Sequence, residues 1–176
     1  MRKNKKNIRG FTLPEIIMTI TIGTIIIPPI IIMLLVALRA PVVISGAIKG
    51  NSLASDLMEE ILSKRWDEAS TGTGPIADGI KTLPVDLGLE AGETRINFND
   101  IDDFNNYSET PPQNAQGIII TDFSDYTRKV EIFYVEGGNS EDYDTELSNV
   151  SNFKKILITV TGPNSTNRLE AITSNR

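Results

Sequence analysis

Residues 16–38, IIMTITIGTIIIPPIIIMLLVAL, are 23 consecutive positions without a charged side chain. As an α-helix rising 1.5 Å per residue, such a run spans about 34 Å, enough to cross the hydrocarbon core of a bilayer. A helix that is apolar all round has no face to offer to water, so a water-facing fold has to be built from the rest of the chain. The run exceeds the roughly 7–15 apolar residues of a secretory signal peptide, and Glu15 stands where such a peptide is apolar. An ordinary signal anchor, with Glu15 reaching to the membrane edge, is the plain alternative.

Charge sets the direction of the run. Arg2, Lys3, Lys5, Lys6 and Arg9 place five cations in the first ten residues, which hold no acid. Only Arg39 and Lys49 follow soon after the run. The positive-inside rule therefore leaves the N-terminus in the cytoplasm and exports the remainder. That remainder carries 12 basic and 23 acidic side chains, a balance that repels phosphate backbones and argues against nucleic-acid binding. The sequence has no histidine and no cysteine, which removes disulfides, imidazole or thiolate metal sites, thiol nucleophiles and histidine-based acid–base catalysis within this chain.

The residues at the entrance of the run are Gly10-Phe11-Thr12-Leu13-Pro14-Glu15. A basic leader, this hexapeptide and an apolar helix together resemble the N-terminal signature of type IV prepilins and of the pseudopilins of type II secretion. The resemblance implies a cut between Gly10 and Phe11 by a membrane-embedded prepilin peptidase, N-methylation of Phe11, and an assembly role for Glu15, whose carboxylate would meet the N-terminal amine of a neighbouring subunit. Such a pair would cancel two charges that are each expensive in an apolar medium and would fix the axial register of a filament. Pro14 departs mildly from the commoner pattern and is tolerated near a helix start. Pro28-Pro29 is a larger departure: it removes two amide donors and is expected to kink or loosen the helix.

Beyond Pro41, the apolar residues Ile44, Ala47, Ile48, Leu53, Leu57, Ile61 and Leu62 recur at helical spacing between polar positions, so the helix is expected to continue with one apolar stripe to about Trp66-Asp67-Glu68. A cluster of breakers at 69–75 follows. Strands are expected at 117–121, 128–135, 155–161 and 168–173, the last two joined by the turn signal Gly162-Pro163-Asn164-Ser165. Short links and alternation favour an antiparallel sheet. The expected fold class is therefore α+β, with a long N-terminal helix packed on a C-terminal antiparallel sheet, which is also the pilin-like layout that the resemblance implies. The expected organisation is a basic leader at 1–10, a transmembrane or filament-core helix at 11–41, its amphipathic continuation at 42–68, and a globular sheet portion at 69–176. The stretches LMEEILSKRWDEA, NDIDDFNNY, RKVEIFYV, KKILITVTGP and RLEAIT are also similar to minor pilins of the mannose-sensitive haemagglutinin (MSHA) pilus, the D-type in particular.

Asp100, Asp102 and Asp103 are weak calcium candidates: they supply the hard oxygen ligands that calcium prefers, but without EF-hand spacing. The acidic loop at 137–146 reads first as an exposed connection between strands. Trp66, at the end of the apolar stripe, is expected in the core rather than on an adhesive surface. No catalytic constellation and no cofactor is expected. The resemblance implies a minor pilin whose partners are other pilins or pseudopilins, the prepilin peptidase and an inner-membrane assembly platform. The alternatives are a type II secretion pseudopilin, or a signal-anchored binding domain or enzyme.

Overall fold

The computed structural model describes residues 11–72, 74–137 and 142–176. The expected leader, 1–10, lies outside the described residues. The chain divides into two compact units at the Val42/Val43 boundary.

Helix α1 runs from Leu13 to Leu62 and is the one element that contributes to both units. In the first unit its stretch Leu13–Leu38 has a mean hydropathy of 2.6, is long and apolar enough to cross a membrane, and has no buried residue among the described residues. The threonine hydroxyls of this stretch are satisfied locally. Thr19 Oγ1 donates to the Glu15 carbonyl at 2.7 Å, Thr21 Oγ1 to that of Ile17 at 2.8 Å and Thr24 Oγ1 to that of Thr21 at 2.9 Å. A threonine bonded back to its own helix presents only its methyl and stem outward, which is what an apolar surrounding tolerates. The expected loosening at Pro28-Pro29 is not found: α1 is helical through both residues. Proline's fixed φ is itself helical, so the helix continues although the carbonyls of Thr24 and Ile25 lose their usual amide partners.

In the second unit α1 buries Leu53, Ala54, Leu57, Met58 and Ile61 against the sheet. A fully buried leucine such as Leu57 contributes about 1.5–3 kcal/mol by leaving water. The apolar stripe is narrower than its sequence suggests, because Ile44, Ile48 and Leu62 are exposed. On the covered side the helix touches the sheet through Gly50, where a Cβ would stand 2.4 Å from Asn167 Oδ1. Asn167 Nδ2 uses that closeness to donate to the Ala47 carbonyl at 3.2 Å and to Asn51 Oδ1 at 2.8 Å. The helix also ends four residues before Trp66. Arg65 leaves it to pair with the distant segment 99–101, its N–H donating to Asn99 O at 3.3 Å and its carbonyl accepting from Ile101 N at 2.9 Å.

The sheet is antiparallel, in the order β1 (Ser108–Glu109), β2 (Thr127–Val135), β3 (Phe153–Gly162), β4 (Ser165–Ser174). Val130, Ile132 and Tyr134 of β2 and Ile156, Ile158 and Val160 of β3 point into the core, as their alternation requires. Gly162 pairs with Ser165, leaving Pro163-Asn164 as a two-residue hairpin loop. The strand expected at 117–121 does not form. Ile119 makes a single antiparallel bridge to Gln113, Ile118 and Ile119 are exposed, and the chain turns into a short 3-10 helix at Thr121–Phe123. The place beside β2 is taken by the two residues of β1, which sequence periodicity cannot reveal in so short a strand.

Candidate functional site

Two places gather chemistry, one in each unit. At the start of α1, the Thr12 carbonyl accepts from Glu15 N at 3.1 Å and from Ile16 N at 3.2 Å, so Thr12 is the residue that begins the helix. Glu15 Oε2 in turn accepts, at 3.5 Å, from the N–H of Thr12. A glutamate that reaches back to the N–H of the threonine three residues before it forms one half of a capping box, and an anion is stabilised at this end of a helix by the backbone dipoles. Phe11 is exposed just outside the helix. Gly10, the other side of the expected cut, lies outside the described residues.

The second place is the turn at 99–105. Phe98, Ile101 and Phe104 are buried and pin the backbone to the core. The rings of Phe98 and Phe104 meet edge to face with centroids 4.9 Å apart. Beside them Arg95 donates to both oxygens of Glu60 on α1, at 2.6 and 2.5 Å. Between these anchors the acids fold inward. Asp100 Oδ1 accepts from the N–H groups of Asp102 at 2.8 Å and Asp103 at 3.2 Å, capping the 3-10 turn Asp102–Phe104. Asp103 Oδ2 accepts from those of Asn99 at 2.7 Å and Asp100 at 3.1 Å. Each carboxylate therefore has one oxygen tied to backbone and one free: Asp100 Oδ2 and Asp103 Oδ1 are buried without a hydrogen-bond partner.

Of the three aspartates singled out by sequence, two stay together. Asp102 turns the other way, to Lys154 of β3, whose Nζ lies 2.6 and 2.8 Å from its two oxygens and 3.3 Å from Asp67 Oδ2. Lys154, Asp67 and Asp102 are all fully buried, and the ammonium sits 3.9 Å from the centre of the Trp66 ring. Trp66 is in the core as expected. The place of Asp102 beside Asp100 and Asp103 is taken by Glu90, which arrives from a separate segment. Oxygens of Glu90, Asp100 and Asp103 lie within 4.8 Å of one another. In the loop at 137–146, residues 138–141 lie outside the described residues, and Asp144 is engaged by Lys155 at 2.6 Å.

No protein-family model matches the chain, no curated protein matches it, and no solved structure matches it. What the acidic place can do follows from its own electrostatics. Burial, with repulsion from Asp102 and Asp103, pushes the Asp100 carboxyl up to about 7. Desolvation, with the adjoining carboxylates of Asp103 and Glu93, which only a protonated Glu90 can bond, pushes Glu90 up to about 8. Near neutral pH the group resists carrying all its negative charge, so it holds protons unless a cation replaces them. The folded carboxyls titrate above their unfolded values, so their favourable contribution is complete below the unfolded range and is lost as pH rises through about 7 to 8. With divalent cations chelated, the wild type is expected to lose more stability between about pH 5 and pH 8 than an Asp100→Asn variant, as read by thermal unfolding at each pH.

Proposed function

We propose that this chain is a minor type IV pilin-like subunit, carried in the inner membrane by residues 13–38 with the N-terminus cytoplasmic and the C-terminal unit periplasmic. A prepilin peptidase removes residues 1–10 and methylates the new N-terminus at Phe11. The mature chain then joins, or initiates, an MSHA-like filament together with other pilins and an assembly platform. Its role is structural, and nucleic acid is not among its partners.

One observation carries the reading: the sequence GFTLPE stands at the mouth of a membrane-length stretch of helix, Leu13–Leu38, none of whose residues is buried among the described residues. A helix apolar on every side is stable in lipid, and equally stable once other apolar helices replace the lipid, so the same surface serves insertion and assembly. The α+β layout, a sheet built on the second half of that helix, fits a subunit that displays its C-terminal unit on a helical core.

Intact-mass spectrometry of the protein from its native membrane fraction tests the reading. The expected mass is that of residues 11–176 plus one methyl group, and a strain lacking the peptidase is expected to yield the full chain. Protein from peptidase-competent cells that still begins at Met1 would identify a signal-anchored domain instead.

A further inference from the structure

The turn at 99–105 supplies backbone partners for one oxygen of each of its two buried acids and leaves the other without any. Asp100 and Asp103 are 0% and 1% exposed, so the free oxygens have no water to turn to at the surface. A buried anionic oxygen with no donor costs several kcal/mol if nothing answers it. Glu90 brings a third carboxylate to the same point, and Glu93 Oε2, three residues further along the chain, is another buried oxygen with no N–H or O–H donor to it. The cations that could answer them are spent elsewhere. Arg95 is held by Glu60, Lys154 by Asp102 and Asp67, Arg65 by Glu68 and Asn99, and Lys64 by the Phe98 carbonyl. Among the described residues none of Glu90, Glu93, Asp100 and Asp103 forms an ion pair.

We propose that Glu90, Asp100 and Asp103 bind a calcium ion, with Glu93 beside them as a further oxygen donor. The donor set is oxygen only and anionic, which suits a hard cation. Calcium takes ligands at about 2.3–2.6 Å, so oxygens on opposite sides of the ion stand at most about 5 Å apart, and the three carboxylates fall inside that limit. Calcium also accepts the irregular geometry that a turn and a distant segment provide, whereas magnesium demands a near-ideal octahedron. The two aspartates are pre-aimed, because each is locked through its other oxygen. Glu90 is exposed and already lies against Asp103 and Glu93. Ion binding ties the segment at 90–93 to a turn that is itself bridged to Arg65 at the end of α1, so the ion acts as a staple between three parts of the C-terminal unit. This inference does not depend on filament membership.

The test uses the full chain in detergent micelles, stripped with a chelator and titrated calorimetrically with calcium chloride, with magnesium chloride in parallel. Thermal unfolding is followed through Trp66, the single tryptophan. The expected result is one calcium bound with a dissociation constant of about 10⁻⁵ to 10⁻³ M and a melting temperature raised by calcium well beyond the effect of equal magnesium. Asp103→Asn keeps the backbone hydrogen bonds of Oδ2 and is expected to weaken calcium binding at least tenfold. Glu90→Gln, on an exposed side chain that the fold does not need, is expected to do the same with the calcium-free melting temperature unchanged or raised. A wild type that gives no calcium heat and no thermal shift at millimolar calcium overturns the site, and undiminished binding in both variants overturns the assignment to these residues.

Discussion

Replacing Lys154 by methionine is expected to destabilise the C-terminal unit by about 3–5 kcal/mol, the cost of stranding buried charge when one partner of an ion pair is removed. The geometry explains why the value should lie in that range rather than near the fraction of a kcal/mol of a surface pair. Lys154 is 0% exposed, its ammonium contacts both oxygens of Asp102, Asp67 and the Trp66 carbonyl, and methionine would fill the volume while answering none of them. Even with the lysine present, burial outweighs its attraction and holds the Asp102 carboxyl up at about 6. Without it Asp102 takes up a proton to stay buried, so the deficit depends on pH. The variant's loss should be largest above about pH 7 and should shrink toward pH 5, where protonation neutralises the stranded acid. In thermal unfolding followed by Trp66 fluorescence, a domain of this size is expected to drop by about 10–20 °C near pH 7.5. The fluorescence itself should change in the folded state, since the ammonium lies over the ring. Adding Asp102→Asn to Lys154→Met is expected to recover part of the loss. No recovery, together with a pH-independent deficit, would mean that lost packing rather than stranded charge is responsible.

Lys154 also shows where the sequence was legible and where it was not. The alternation of β2 and β3 groups Val130, Ile132 and Tyr134 on one face and Ile156, Ile158 and Val160 on another, and the structure buries both groups; Lys154 shares the parity of the second group and Arg128 that of the first. Parity is thus consistent with the burial of both cations, Arg128 and Lys154. What it could not supply was their partners: Asp67 and Asp102 for the lysine, Glu109 and the Leu53 carbonyl for the arginine, all distant in sequence. Without partners in view, a lysine among isoleucines reads as a strand end. The same limitation shaped the acidic turn. Proximity in sequence grouped Asp100, Asp102 and Asp103, whereas a 3-10 turn sends Asp102 to the opposite side and the third carboxylate, Glu90, arrives from a loop with no periodicity to announce it. The stretch at 117–121 failed for the converse reason. Its isoleucines have strand propensity, but propensity does not provide a neighbouring strand, and β2 is already covered on that side by β1. At the N-terminus, Thr12 and Glu15 at capping-box spacing were legible but overshadowed by the longer pattern around them.

That capping box sharpens the largest prediction for the first unit. If Glu15 served only its own helix, an uncharged residue able to cap equally well would replace it. Glutamine at this position of a capping box does so. If instead the carboxylate neutralises the amine of a neighbouring Phe11, as the proposed filament requires, glutamine removes the charge while keeping the cap, and the amine is left unpaired among apolar helices. A lone charge in such a setting costs about 2.5–3.5 kcal/mol on insertion scales, which corresponds to roughly a 100-fold loss in the equilibrium for adding a subunit. Glu15→Gln and Glu15→Ala are therefore expected to insert in the membrane and be cleaved like the wild type, and both are expected to fall about 100-fold in filament incorporation, measured as the ratio of sheared filament fraction to membrane fraction. Glu15→Asp keeps the charge on a shorter arm and should recover part of the incorporation. The capping hydrogen bond in the single chain is long, at 3.5 Å, so little helix stability is at stake in any of these changes, and the difference between glutamine and glutamate isolates the charge. Normal incorporation of Glu15→Gln alongside failure of Glu15→Ala would assign the residue to helix capping and remove charge pairing from the account of assembly, leaving proteolysis after Gly10 to stand or fall on the mass measurement alone.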